Sequence, residues 1–354
     1  VNTYNFDENY LESIKKSQSY TNHVNLLELK KGEILEYSLP LITVGSQSSD
    51  RNYIFGEIKK VKVFDSKIFL LDSRSKQLKI FTLENGKHIN TFELSGRGPG
   101  ELLQPVDMLI DEDGGTLFLL DNQRKLLAYN VNNPEPELSN EIILDYVPES
   151  FCANNSHIII RSRLGPTGVS ENLKGNIIPH SKIDFTPGKT FGNVFTSNNW
   201  LLTDQLSRGI IYCSENNDIV YSVDRYLPHI KIYSKNNSEY KSTDRVLLDG
   251  LELIQIVSSF NENQPVISYK SSDSGKRAVM NNVISNKKYI FIQTYELNRT
   301  GEEIVITYQI SKNDYSLVKA FDNLGTIHDM NDSLLVTSKN FPYPRVEIFS
   351  TDNL

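Results

Sequence analysis

The sequence predicts an all-β chain folded as a single β-propeller, with six blades of four antiparallel strands preferred over five or seven. Three observations carry that prediction. Short β-rich runs alternate with turn-forming residues, and helical periodicity is absent from them. Two neighbouring segments repeat one another at a near-constant spacing, as stacked blades do. Closed β architectures also accommodate 354 residues as one unit, where average domain sizes would suggest two.

Residues 1–22 are polar and rich in Asn, Ser, Lys and Glu, so they read as an N-terminal extension or tether with room for one short helix around Glu8–Lys16. Residues 23–354 read as the propeller, with a strand inside Val24–Leu29 or Ile34–Val44 expected to complete the last blade. The first full blade pattern is the clearest. Ile68–Asp72 is a β-rich run ending in a turn former, Leu78–Phe81 alternates, and Glu84-Asn85-Gly86-Lys87 is a hairpin turn. Asn-Gly suits that turn because both residues tolerate positive φ. Ile89–Phe92 then returns.

The next segment repeats the pattern with Val106–Ile110, an acidic Gly turn at Asp111–Gly115, Leu117–Asp121 and Leu126–Tyr129. Asp72 and Asp121 stand 49 residues apart, and Lys76/Lys125 and Leu78/Leu127 keep that offset. A third unit shows only His157–Ile160 clearly. Gly209–Cys213, Asp218–Ser222 and Ile230–Tyr233 make a fourth. Tyr289–Ile292, Ile304–Tyr308 and Ser316–Phe321 make a fifth, and Leu334–Thr337 with Val346–Phe349 the last. The strands within 234–285, Leu253–Tyr269 among them, fit no blade from sequence alone.

The net charge of −7 argues against nucleic acid, whose phosphate backbone calls for a basic surface. No stretch approaches the roughly 20 apolar residues that span a bilayer. No signal peptide is visible at Val1, which fits a cytoplasmic chain and a mature exported one equally. Cys152 and Cys213 lie in apolar strand-like runs and are expected to be buried free thiols, with a disulfide as the alternative.

Ser95-Gly96-Arg97-Gly98-Pro99-Gly100-Glu101, followed by the Val106–Ile110 strand and Leu117–Asp121, resembles the NHL-like and TolB-like six-bladed propellers of Bacteroidetes. Ile219–Val223 with Leu227–Ile232 resembles a segment of the same group. The likeness is good over about 61–130 and weaker elsewhere. It implies a propeller located outside the cytoplasm, in the periplasm or at the cell surface. Many members are lipoproteins, so contact with a membrane is expected only through an N-terminal lipid anchor that this sequence does not contain. The group's function is generally unknown, and it supplies no catalytic residue to carry over.

Chemistry is sparse. Gly96–Glu101 lacks the Gly-Lys-Ser/Thr ending of a phosphate loop and is expected to be a tight connection between blades. The histidines at 23, 88, 157, 180, 229 and 328 show no zinc-ligand spacing, and no Gly-x-Ser-x-Gly elbow occurs. No metal and no cofactor is expected. Asp72 and Asp121 are expected to cap turns, and Trp200 and the Tyr and Phe residues mostly to lie in the core between blades, with stacking on sugar rings as the alternative. One constellation follows from topology, because interblade connections and the turns after each second strand share one end of a propeller. Arg97 and Glu101 lie in the first kind of loop, and Arg74, Arg124, Arg161 and Arg163 fall in the second. These residues are the candidate ligand-binding set, suited to an acidic glycan or a partner's carboxylate. The expected function is non-enzymatic binding of a glycan or an envelope protein. The alternative is a glycoside hydrolase or polysaccharide lyase on the same scaffold.

Overall fold

A computed structural model describes residues 3–5, 20–26, 34–35, 39–46, 50–111, 115–133, 135–163, 175–196, 199–214, 219–236, 239–261, 264–271, 277–297, 303–322 and 324–351. Four short strands come first, β1 (Thr3–Asn5), β2 (Asn22–Asn25), β3 (Ile34–Leu35) and β4 (Ile42–Val44). Blade one comprises β5 (Ile58–Phe64), β6 (Lys67–Asp72), β7 (Gln77–Thr82) and β8 (His88–Glu93). Blade two comprises β9 (Pro105–Asp111), β10 (Thr116–Asp121), β11 (Lys125–Asn130) and β12 (Glu137–Ile143). Blade three has β13 (Pro148–Ala153), β14 (His157–Ser162) and β15 (Ile177–Ser181). Strand β16 (Val194–Thr196) and helix α1 (Trp200–Ser207) lead into blade four, β17 (Gly209–Cys213), β18 (Ile219–Asp224), β19 (His229–Asn236) and β20 (Glu239–Asp249). A separate hairpin, β21 (Gln255–Asn261) and β22 (Gln264–Lys270), precedes blade five. Blade five is β23 (Arg277–Ser285), β24 (Tyr289–Leu297), β25 (Glu303–Ser311) and β26 (Leu317–Phe321). Blade six is β27 (Thr326–Met330), β28 (Leu334–Lys339) and β29 (Arg345–Ser350). The protein is thus an all-β, six-bladed propeller, as the sequence predicts. The stretch at 8–16 with room for one short helix lies outside the described residues.

Blades one, two and six belong to one compact unit, residues 36–144 and 324–354. Here the unbroken apolar run Ile68–Leu71 makes sense, because a blade's second strand is covered on both faces. Ile68 and Leu70 point into a cluster with Val336, Val346 and Ile348 of blade six. Phe69 and Leu71 point into another with Met108, Leu117 and Leu119 of blade two. Strand β4 pairs antiparallel with β29, Val44 opposite Val346 and Ile42 opposite Ile348. The last blade therefore takes its outer strand from within Ile34–Val44, as expected.

Blades three, four and five belong to the second unit, residues 1–35 and 145–323. Strand β2 adds in parallel to β20 and β3 in parallel to β26, so blades four and five carry five strands rather than four. These additions pair backbone groups that a bare edge strand would leave open. Among the described residues blade three has three strands, and an antiparallel bridge from Phe191 to Ile177 covers part of its outer edge. The Leu253–Tyr269 stretch forms a separate two-stranded sheet outside the blades, apart from Leu253, which bridges in parallel to Ala278 of β23. Its hairpin packs Ile256 and Ile267 against Leu202 and Leu206, which stand one turn apart on α1.

Two sequence expectations need correction. Cys152 and Cys213 are joined in a disulfide, with Cα atoms 5.5 Å apart, so neither is a free thiol. The bond ties β13 to β17, neighbouring first strands that face each other across an apolar cluster. Trp200 is 46% exposed at the start of α1 rather than in the core, because Asn199 caps the helix at Leu201 and Leu202 and turns Trp200 outward.

Candidate functional site

The predicted arginines have different fates. In the first unit Arg74 and Arg97 are exposed, on the β6–β7 turn and the β8–β9 connection. Arg124 is half-buried on the β10–β11 turn with φ of 68°, and Lys76 has the matching conformation at 54°. That pair places Arg124, not Lys125, opposite Lys76. The 49-residue offset of the second strands therefore shortens to 48 at the third, because the blade-two turn is one residue tighter. Glu101 turns inward on its own loop, accepting a hydrogen bond from Gly98 N at 2.6 Å. Gly96 has φ of +155°, and a Cβ there would overlap the Glu101 carboxylate. Lys125 Nζ donates to the carbonyls of Gly98 and Glu101, and Tyr129 Oη to that of Gly100. The glycine loop is thus the tight interblade connection expected.

Asp72 and Asp121 are backbone clamps. Asp72 accepts from the amides of Gly56, Glu57, Arg74 and Ser75 at 2.7–3.2 Å. Asp121 accepts from Leu103, Gln104 and Gln123 at 2.6–2.9 Å. Each carboxylate stitches the chain entering a blade to the turn after its second strand, which is the capping role foreseen.

Asp224 ends the second strand of blade four, the same position, but does different work. It accepts from Arg161 Nη2 at 2.5 Å, Lys231 Nζ at 2.5 Å and His229 Nε2 at 2.9 Å, all four side chains being buried. The sequence expectation that Arg161 lies on a loop at the ligand-binding rim is therefore corrected. Arg161 lies within β14, is 0% exposed, and also donates to Ser222 Oγ and to the carbonyls of Ser207 and Val223. Arg163 is partly buried and forks onto Asp204 at 2.8 and 3.0 Å. Burial alone would raise the Asp224 carboxyl, but Lys231 and Arg161 hold it well below the usual carboxylate range. Burial, reinforced by Lys231, pulls His229 down to about 4. Burial also pulls Lys231 down to about 8 against the attraction of Asp224. His229 is thus neutral at pH 7, with its Nε2 proton assigned toward Asp224 and a buried Nδ1 that has no partner.

A concave site lies elsewhere in this unit, where the segment after β15 meets β19 and β20. The cavity measures about 350 Å³. Its apolar wall is Phe191, Tyr233 and Tyr240, with Phe191 stacked on Tyr240 at 4.7 Å and edge-on to Tyr233 at 5.1 Å. The same three rings pack on Cys152 and Cys213, so the disulfide underlies the groove. Lys189, Lys241 and Arg245 supply its positive charge and Glu239 its one carboxylate, which pairs with Lys189 at 2.9 Å. Arg245 makes no ion pair among the described residues, and its charge adds to the field acting on His229 and Lys231. Gly192, at φ +94°, turns the chain so that Asn193 follows it inward. Asn193 is 5% exposed, lines the cavity, and has an amide Nδ2 without a hydrogen-bond partner.

Sequence reading missed this groove. The pairing of Lys189 with Glu239 spans 50 residues, and no spacing rule links those positions. The local signal was slight, a Lys241–Arg245 pair of cations on a polar outer strand.

The family model described as a 6-bladed beta-propeller, DUF5128, matches residues 47–348. No curated protein matches the sequence. Among solved structures, a Bacteroides fragilis protein thought to be exported is similar, at 16% identity and a TM-score of 0.54, covering 89% of this chain and 87% of its own. A Bacteroides uniformis protein thought to be a 6-phosphogluconolactonase shares 14% identity, with a TM-score of 0.43 and coverage of 75% and 70%. A functionally unknown protein of Desulfotomaculum acetoxidans shares 11%, with a TM-score of 0.48 and coverage of 80% and 92%. At these identities the likeness speaks to fold.

Proposed function

The chain belongs to the DUF5128 family of six-bladed β-propellers, and we propose that it is a non-enzymatic binding module that works outside the cytoplasm and takes its ligand in the groove between β15 and β20. The observation that carries this reading is the groove itself. It combines a rigid aromatic wall, a surplus of cations and a buried amide donor with nothing to bond. A buried polar group left unpaired is costly, and a ligand oxygen relieves that cost. The volume sits at the small end of the roughly 300–1,000 Å³ typical of small-molecule sites. The Cys152–Cys213 disulfide supports the location, because such bonds persist in oxidising compartments.

The test is a thermal-shift screen of neutral and acidic sugars and short peptides, run in parallel on the protein and on Lys241→Glu. Lys241 is exposed, so its replacement leaves the fold intact. A ligand that binds the native state raises the melting temperature by mass action. The expected result is a shift in the protein that Lys241→Glu diminishes. Ligands whose shifts are identical in the two proteins would bind elsewhere and overturn the assignment of the groove.

A further inference from the structure

We infer that the groove selects a single carboxylated sugar unit, a hexuronate; this rests on the reading of the groove as the binding site. Lys189, Lys241 and Arg245 face one carboxylate, Glu239, inside a chain whose net charge is −7. Lys189 is already paired with Glu239, which leaves Lys241 and Arg245 as the cations to be answered. The planar Arg245 fork matches a planar carboxylate in bidentate fashion. Glu239 lies on the same lining and disfavours a dianion more than a monoanion, which sets a carboxylate ahead of a phosphate.

The remaining lining calls for hydroxyls. Asn193 Nδ2 is a buried donor in search of an oxygen. Thr190, Ser242 and Glu239 bring hydroxyl and carboxylate oxygens that accept from a ligand's O–H groups. The rings of Phe191, Tyr233 and Tyr240 are each buried to 4–8% exposure, so they offer a shallow apolar wall and no open slot for a flat aromatic ligand. A sugar ring, apolar on its C–H face and polar around its rim, meets both demands.

The experiment is calorimetric titration of the full chain with D-glucuronate and D-galacturonate. D-glucose, D-galactose, acetate and glucose 6-phosphate serve as comparators, and titrations are repeated on Arg245→Gln and Asn193→Ala. One uronate is expected to bind at least about tenfold tighter than its neutral counterpart and than acetate, the margin that one charge-assisted hydrogen bond supplies. Each variant is expected to lose about tenfold of that affinity. Asn193→Ala is also expected to keep or raise the melting temperature, because it removes an unpaired buried amide; a structural role for Asn193 would lower it. Uronates that bind no tighter than neutral sugars, tighter binding of glucose 6-phosphate, or unchanged affinity in both variants would overturn the inference. If those ligands fail while another compound from the screen binds in a Lys241-dependent way, the hexuronate assignment falls and the groove stands. If no ligand depends on Lys241, both fall.

Discussion

At the residue scale, one blade position serves two purposes. Asp72 and Asp121 answer backbone amides, so their charge is spread over several N–H dipoles at a turn. Asp224 answers three basic side chains instead, one of them from the neighbouring blade strand β14. The switch is legible afterwards in the residues around it. Lys231 sits where Lys79 sits in blade one, on the third residue of the third strand, but Lys79 donates to the carbonyls of Arg51 and Ile54 and never reaches Asp72. Removing the Asp224 charge leaves Arg161 buried without its counter-ion. Asp224→Asn is therefore expected to cost about 3–5 kcal/mol, the range for breaking a buried pair from one side. Urea unfolding measures it, and a loss under about 1 kcal/mol would mean the cluster is far better hydrated than its burial shows.

At the element scale, the edges of blades and the bond between them matter most. The N-terminal strands complete edges that repeat pattern alone assigns imprecisely: β4 closes blade six, while β3, from the same expected range, goes to blade five. Strand pairing of this kind depends on where the chain passes in space, and a two- or three-residue strand leaves little periodicity to read. The disulfide spans 61 residues and joins two first strands beneath the groove. Its reduction, or the Cys152→Ser/Cys213→Ser double substitution, is expected to lower stability by about 2–4 kcal/mol, chiefly by restoring freedom to the unfolded chain. Denaturant midpoints with and without reductant measure this, and coincident midpoints would refute it.

At the scale of the whole molecule, several histidines are held neutral by burial. His229 is lowered to about 4, His180 is lowered by burial beside Tyr146, and burial with nearby lysines takes His328 well below its ordinary value. Their folded values lie beneath the unfolded value of about 6.5, so between those limits the unfolded chain binds more protons and stability rises with pH. For His229, which alone accounts for about 3 kcal/mol, the contribution is complete above about 6.5 and is lost as pH falls toward 4. Asp224, whose folded value is also depressed, adds a further loss below the ordinary carboxylate range. Unfolding free energy measured from pH 4 to 8 should therefore climb and then level off, and His229→Gln should flatten the climb. A profile indifferent to that substitution would show His229 to be charged in the fold.

What the sequence determined by itself was the class of fold and the local logic of each blade. Alternating apolar residues, Asn-Gly and Asp-bearing turns, and a repeated blade pattern act over a few residues, so Ile68–Asp72 and Leu117–Asp121 announce their strands unaided. What only the tertiary structure decided was which distant groups meet. Cys152 finds Cys213, Arg161 finds Asp224, and Lys189 finds Glu239 across 50 or more residues. Those meetings turn a predicted loop arginine into a buried counter-ion and a featureless polar strand into the wall of a groove. The physical reason is that turn chemistry and strand alternation are short-range, while burial, charge pairing and cavity shape are set by blades packing against one another.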